Sequence, residues 1–301
     1  MDFVRRIYDK YVGKGIWSIG ILDNTIEDVV EGNPLQLKRI ENPYDDRWWA
    51  DPFVLDVTQD YIIILVEEVF YKETEIGHIT QLKVDRSSLK VLSVETILEL
   101  DTHLSFPCIL RHDNKVYIYP ENSKAGNLSI YEYDYQRKYI NKVDIICDEQ
   151  LADAIIFPYQ ERIYLLATKA PFFDGNRLEV YEYDLSKKKF LHNKNVCFSE
   201  NIARNAGNIF EWNGKFYRPA QECNDRYGHA ISIQEMSYDE EKGFSFHEIR
   251  RILPFDKKFP SGIHTLNTYG SIIVVDHYKY QYLIDPYLRS IKRFICKFFK
   301  R

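Results

Sequence analysis

At 301 residues the chain is long enough for one large domain or two ordinary ones. With 45% hydrophobic and 28% charged residues it has the composition of a soluble globular protein, and 23 Tyr and 18 Phe tilt it toward β structure. A formal net charge of −5 supplies no global basic field, which argues against nucleic acid as a partner.

The first twenty residues interleave Asp2, Arg5, Arg6, Asp9 and Lys10 with apolar positions, so they lack the apolar run of a secretory signal. No stretch is long and apolar enough for a membrane-spanning helix. Cys108, Cys147, Cys197, Cys223 and Cys296 are widely spaced and form no CxxC or Cys/His cluster. These features predict reduced thiols in a cytoplasmic protein, with neither a metal site nor a cofactor.

One pattern recurs five times along the chain: a small or Pro/Gly opening, an apolar strand, a polar turn, and a second apolar strand ending in polar residues. The copies begin at Ala50 (ADPFVLDVTQDYIIILVEE), Ser105 (SFPCILRHDNKVYIYPEN), Ala152 (ADAIIFPYQERIYLLATK), Asn205 (NAGNIFEWNGKFYRPAQE) and Ser261 (SGIHTLNTYGSIIVVDH). Aligned on Pro52, Pro107, Ala154, Gly207 and Ile263, they repeat every ~50 residues, the length of a four-stranded propeller blade. Turns such as Asp113-Asn114 and Asn213-Gly214 have hairpin chemistry. Third strands follow at His78, Leu128, Leu178 and Ala230.

The fifth copy has too little chain after it for a whole blade, because Asp285-Pro286 breaks the pattern. A strand within Gly15–Leu22 is expected to complete it. The prediction is an all-β protein: a five-bladed β-propeller over residues 1–286, followed by a short amphipathic helix over 287–301. A β-sandwich built from the same hairpins is the alternative, and five copies in near-constant register argue against it.

In a propeller the start of each first strand and the end of each second strand lie on one face. That gathers Asp51, Glu67 and Glu68 from blade one, Ser105, Glu121 and Asn122 from blade two, and Asp153 and Lys169 from blade three. Blade four adds Arg204, Asn205, Arg218, Gln221 and Glu222; blade five adds His264, Asp276 and His277. Strand alternation turns only half of these inward. Carboxylates beside arginines and amides suit sugar hydroxyls, which they bind with fixed orientation. Trp48, Trp49 and Tyr227 offer faces for a pyranose ring. Each has a structural alternative: Asp51 as a turn cap, the tryptophans as packing, Arg204 as a partner of Glu222, the histidines as satisfied core groups.

WWADPFV at Trp48–Val54, SFPCI at Ser105–Ile109, YPEN at Tyr119–Asn122, ADAIIF at Ala152–Phe157 and RNAG with YRPAQE over Arg204–Gly228 resemble the N-terminal propeller domain of glucosamine inositolphosphorylceramide transferases. The chain is also similar, more distantly, to the five-bladed propeller glycosidases of the arabinanase and β-xylosidase type. That resemblance implies that Asp51 acts as base or nucleophile and that Asp153 tunes the site. The general acid of those glycosidases opens blade four, where this sequence reads Arg204-Asn205-Ala206-Gly207, so Glu121 and Glu222 become the candidates. In the transferases the resembling domain precedes a glycosyltransferase domain, for which this sequence offers no counterpart, no Gly-rich phosphate loop and no DxD motif.

From Tyr287 the chain reads YLRSIKRFICKFFKR, an apolar stripe of Leu288, Ile291, Phe294, Ile295, Phe298 and Phe299 flanked by basic residues. This pattern predicts contact with an anionic membrane surface, at the inner face for a cytoplasmic protein; a helix docked on the propeller is the alternative. The functional expectation is a carbohydrate-active enzyme, glycosidase-like or glycosyl-transferring, in surface-glycan or glycolipid assembly. Asp51, Asp153, Glu121 and Glu222 would be catalytic. Trp49, Glu67, Ser105, Arg204, Arg218, Gln221, Tyr227 and His264 would bind a glycan or glycolipid substrate. The rival expectation is a non-catalytic glycan-binding or scaffold module working with a separate glycosyltransferase; a protein-interaction propeller, which would carry an apolar or evenly charged rim, is a third.

Overall fold

A computed structural model describes residues 13–71 and 76–282. The N-terminus gives strand β1 (Gly13–Leu22), a one-and-a-half-turn helix α1 (Ile26–Glu31) capped by Thr25, and the short strand β2 (Leu37–Arg39). Blade one follows as β3 (Arg47–Val57), β4 (Tyr61–Phe70), β5 (Gly77–Asp85) and β6 (Val91–Leu98). Blade two is β7 (Ser105–His112), β8 (Lys115–Glu121), β9 (Leu128–Asp134) and β10 (Tyr139–Cys147). Blade three is β11 (Leu151–Tyr159), β12 (Arg162–Lys169), β13 (Arg177–Asp184) and β14 (Lys189–Cys197). Blade four is β15 (Phe210–Trp212), β16 (Lys215–Glu222), β17 (Ala230–Asp239) and β18 (Gly243–Ile252).

The last blade is assembled from both ends of the described chain. Its inner strands are β19 (Leu266–Tyr269) and β20 (Ile272–Tyr282), and β20 pairs antiparallel with β1 along its length, followed by β2. Five separate four-stranded antiparallel sheets result, so the protein is a five-bladed all-β propeller and not a sandwich. The C-terminal helix expected over 287–301 lies outside the described residues. Among the described residues no helix is long and apolar enough to cross a membrane.

Apolar layers between neighbouring blades hold the ring together. Phe53 of blade one meets Phe106 of blade two edge to face at 5.0 Å, and Phe157, Tyr159, Phe216 and Phe244 interlock blades three and four. The outermost strands β10 and β14 are largely exposed, as their Lys/Asn-rich sequences require. Asp113-Asn114 and Asn213-Gly214 turn their hairpins with positive φ at both positions, as two-residue primed turns do.

The inner strands carry a feature that the repeats do not reveal. Pairing skips between Ala50 and Phe53, between Ser105 and Cys108, and between Ala152 and Ile155, and at each skip one residue turns left-handed: Asp51 (φ 49°), Phe106 (φ 46°) and Asp153 (φ 46°). Such a conformation costs a non-glycine residue of order 1–3 kcal/mol and persists only where its surroundings hold it. Each kink also frees a backbone N–H from the ladder, and a carboxylate captures it every time. Asp51 N–H donates to Asp276 (3.1 Å), Phe106 N–H to Asp51 (3.0 Å) and Asp153 N–H to Glu121 (3.2 Å). Blades four and five depart from this scheme: their inner strands are short, and Arg204–Asn208 meets the backbone ladder of its blade at the isolated Asn205–Ala220 bridge.

Candidate functional site

The kinks deliver acidic side chains to the propeller axis in two linked groups. In the first, Asp51 accepts from Thr265 Oγ1 at 2.7 Å and faces His264 Nε2 at 3.5 Å, while His264 Nδ1 lies 2.7 Å from Asp276. Asp276 also takes the backbone N–H groups of His264 and Thr265. Burial works to lower the pKa of His264, but the fields of Asp276 and Asp51 overcome it and raise the pKa to about 9. Burial pushes Asp51 up to about 7, with Glu67, Asp153 and Asp276 adding to the rise against the pull of His264.

In the second group Asp153 accepts from Arg204 Nε (2.6 Å) and Nη2 (3.3 Å) and from Gln221 Nε2 (2.6 Å). The same guanidinium reaches Glu121 at 3.2 Å and Asp174 at 2.9 Å, tying blades two, three and four together. Asp153 is also lifted to about 7, chiefly by burial and next by Glu121, against Arg204. Arg204 keeps its charge firmly: burial opposes it, and Asp153 and Glu121 more than compensate.

Glu67 completes the ring, 3.1 Å from His103 Nε2, whose Nδ1 accepts from Gly77 N–H, and its field is felt by both Asp51 and Tyr227. An aromatic wall rises on one side. Trp17, from β1, stacks on His264 with centroids 3.8 Å apart and meets Tyr227 edge-on at 6.4 Å. Tyr227 is 40% exposed and stands over Arg204, its centroid 5.0 Å from the guanidinium carbon. Gly228 positions this wall: its φ is +62°, and a Cβ there would meet His264 at 3.0 Å and Trp17 at 3.1 Å.

Asp51, His264 and Asp276 are close enough together to suggest a cation site. Their donors and acceptors are already matched, because both His264 ring nitrogens face carboxylates and Asp276 collects three backbone N–H groups. An imidazolium already supplies the positive charge there, so the set fits a shared proton better than a metal ion.

Asp51, Glu67, Glu121, Asp153, Arg204, Gln221, Tyr227 and His264 are therefore brought together, and Ser105 lies beside them, buried and paired with Glu121 in the ladder. Three expectations need correction. Arg218 is not in the pocket: it is fully buried, donates to the carbonyls of Ile202 and Ala203 and to Asn205 and Gln234, and burial lowers its pKa to about 9. Trp49 offers no stacking face, being 1% exposed with its indole N–H bound to Glu68. Glu222 is not placed as an acid, since it faces His229 at 2.6 Å and the backbone N–H of Asn224.

Strand alternation explains two of these at once. Gln221 faces the axis, so Glu222 and Arg218 fall on the opposite side of β16. Trp17, Thr265, Asp174 and His103 were not anticipated. Trp17 alone carried a signal, since its strand was expected to close the ring.

Solved structures share the fold. A GH43 β-1,3-galactosidase, solved with galactodeoxynojirimycin, superposes with a TM-score of 0.55 at 10% identity, over 70% of this chain and 81% of that one. The RS223 β-xylosidase superposes at 0.53 and 12% identity, over 78% and 92%. Among curated sequences, glucosamine inositolphosphorylceramide transferase 1 of Oryza sativa subsp. japonica is 24% identical over 254 residues, 74% of this chain. The match spans only 33% of the rice protein's length. The profile of that enzyme's N-terminal region matches residues 36–262, which takes in Asp51, Glu67, Glu121, Asp153 and Arg204 and leaves Trp17, His264 and Asp276 outside. The chain belongs to the family described as glucosamine inositolphosphorylceramide transferase 1, N-terminal.

Proposed function

We propose that this propeller is a glycan-binding module whose axial carboxylates hold a sugar through its hydroxyls without cleaving it. The observation that carries this reading is Arg204. It stands where the resembling glycosidases open blade four with their acid, and its guanidinium is paired with both Asp153 and Glu121. A hydrolase needs one protonated carboxyl beside the leaving oxygen and a second across the ring. Here Glu121 is ion-paired and Glu222 is turned to its own loop. The remaining groups supply acceptors for hydroxyls and an aromatic wall for a pyranose face. A separate glycosyltransferase, at an anionic membrane surface, is the partner that would use a sugar held in this way.

One observation favours the enzymatic reading. Asp51 and Asp153 both stand near pKa 7, which suits proton transfer at neutral pH. Glycan-array binding of the wild type and Asp51→Asn, with a time course of product formation on every hit, separates the two. Binding without turnover is the expected result. Turnover by the wild type and not by Asp51→Asn would replace the binding module with an enzyme, and absence of any glycan binding would remove both.

A further inference from the structure

The face that carries the axial site also carries an aromatic ring that the fold does not bury. β12 ends on this face, and the loop that leads from it into β13 presents Phe172 at 76% exposure, the highest of any aromatic among the described residues. Slack does not explain the exposure, because the loop is fastened along its length. Ala170 N–H donates to the carbonyl of Gln150, Phe172 N–H to that of Lys169 and Gly175 N–H to that of Phe172, while the Gly175 carbonyl accepts from Ala203 N–H. Asp174 ties the loop to the axis through its 2.9 Å bond to Arg204, the guanidinium over which Tyr227 stands. A ring held in advance on such a loop loses little freedom when something settles on it.

Phe172 forms one wall of a groove of about 390 Å³, within the size range of small-ligand sites. The rest of its lining is largely charged. Lys169 is paired with Glu149, and Glu179 lies 2.7 Å from both Arg177 Nε and His192 Nε2. An aromatic face beside charged donors and acceptors suits a pyranose, whose C–H face packs on the ring while its hydroxyls meet the ion pairs. A membrane surface asks instead for a continuous apolar patch, and here ion pairs surround the ring. Resting on the glycan-binding reading, we infer that the ligand is an oligosaccharide that runs outward from the axis over blade three and stacks a further sugar ring on Phe172. Phe172 lies two residues from Asp174, at most ~7 Å between α-carbons, so one short glycan reaches both Tyr227 and Phe172. Chain length therefore sets affinity, because a disaccharide at the axis leaves Phe172 bare.

The test is calorimetric titration of the full chain with two ladders, xylobiose against xylohexaose and cellobiose against cellohexaose. In a ladder that binds, the hexamer is expected to bind at least ~10-fold tighter than the disaccharide. Phe172→Ala should cut that ratio to about 5-fold or less, the statistical advantage of a chain that offers several disaccharide frames. Phe172→Trp should keep the ratio, and so should Leu185→Ala, which truncates an equally bare apolar side chain at the β13–β14 turn. A smaller ratio in the wild type overturns the inference and leaves the glycan reading standing, as does a ratio that survives Phe172→Ala. Binding to vesicles of phosphatidylcholine and phosphatidylserine that Phe172→Ala abolishes, without length dependence in either ladder, assigns the ring to a membrane surface and overturns it too. Binding of neither length in either ladder removes both the inference and the reading beneath it.

Discussion

Asp51 and Asp153 occupy equivalent kinks of blades one and three, with the same left-handed backbone, the same burial and the same lift to about pKa 7. They differ in what answers them. Asp153 is answered by Arg204, a fixed cation held from three sides; Asp51 is answered by His264, a cation whose charge depends on pH. One half of the site is thus a permanent clamp and the other a titratable one. The same backbone device can set a carboxylate for binding or for proton exchange, according to the neighbour that the next blade contributes.

The largest effect is expected from breaking the permanent clamp. Arg204→Met leaves Asp153 and Glu121 without their buried counter-charge, which costs about 3–5 kcal/mol at neutral pH. Denaturant unfolding should show that loss shrinking toward about pH 4, where Asp153 is protonated and needs no partner. A loss that stays constant over this range would mean that Arg204 acts through packing and not through charge.

His264→Gln should cost less, roughly 2–3 kcal/mol, and with a different pH signature. The folded-state pKa of His264 is raised from 6.5 to about 9, so its ion-pair stabilisation is complete below 6.5 and is lost as pH rises through 9. The wild type and variant should therefore converge in stability near pH 10. Persistence of the full gap there would show that His264 is held by its stacking on Trp17 alone.

The smallest effect has the opposite sign. Asp51 binds its proton more tightly folded than unfolded, so its ionisation erodes stability as pH rises from about 4 to 7. Asp51→Asn removes that penalty, its one remaining oxygen accepting from Phe106 N–H while Thr265 Oγ1 turns to accept from the new amide N–H, and should gain on the order of 1–2 kcal/mol at about pH 8 and nothing near pH 4. Destabilisation at pH 8 would mean that the His264–Asp51 attraction outweighs burial.

The ring was legible in the sequence because each blade repeats the same opening and the same hairpin, so five weak signals reinforce one another. Asp51 and Asp153 were legible for the same reason, as acids at one repeated position. Arg218 and Glu222 were misplaced because composition says nothing about which face a strand residue takes; a single register choice at Gln221 moves both away from the axis. In blade one the same alternation sends Glu67 to the axis and Glu68 to Trp49 and Thr80. The left-handed kinks had no signature, since Asp, Phe and Asp occupy them without glycine. Arg204 was visible as an oddity at blade four, but its three partners lie ~30 to ~80 residues away, beyond any local pattern.

The most direct measurement is the position of a bound sugar. Crystals of the protein soaked with an oligosaccharide that binds in solution should show sugar hydroxyl groups within about 3 Å of Asp51 and Glu67, with a ring edge against Trp17 and Tyr227 and an intact glycosidic bond. A sugar seated instead in the apolar groove of about 400 Å³ between blades two and three, lined by Ile130, Val143, Ile163 and Phe190, would contradict the account. So would a cleaved bond at the axis.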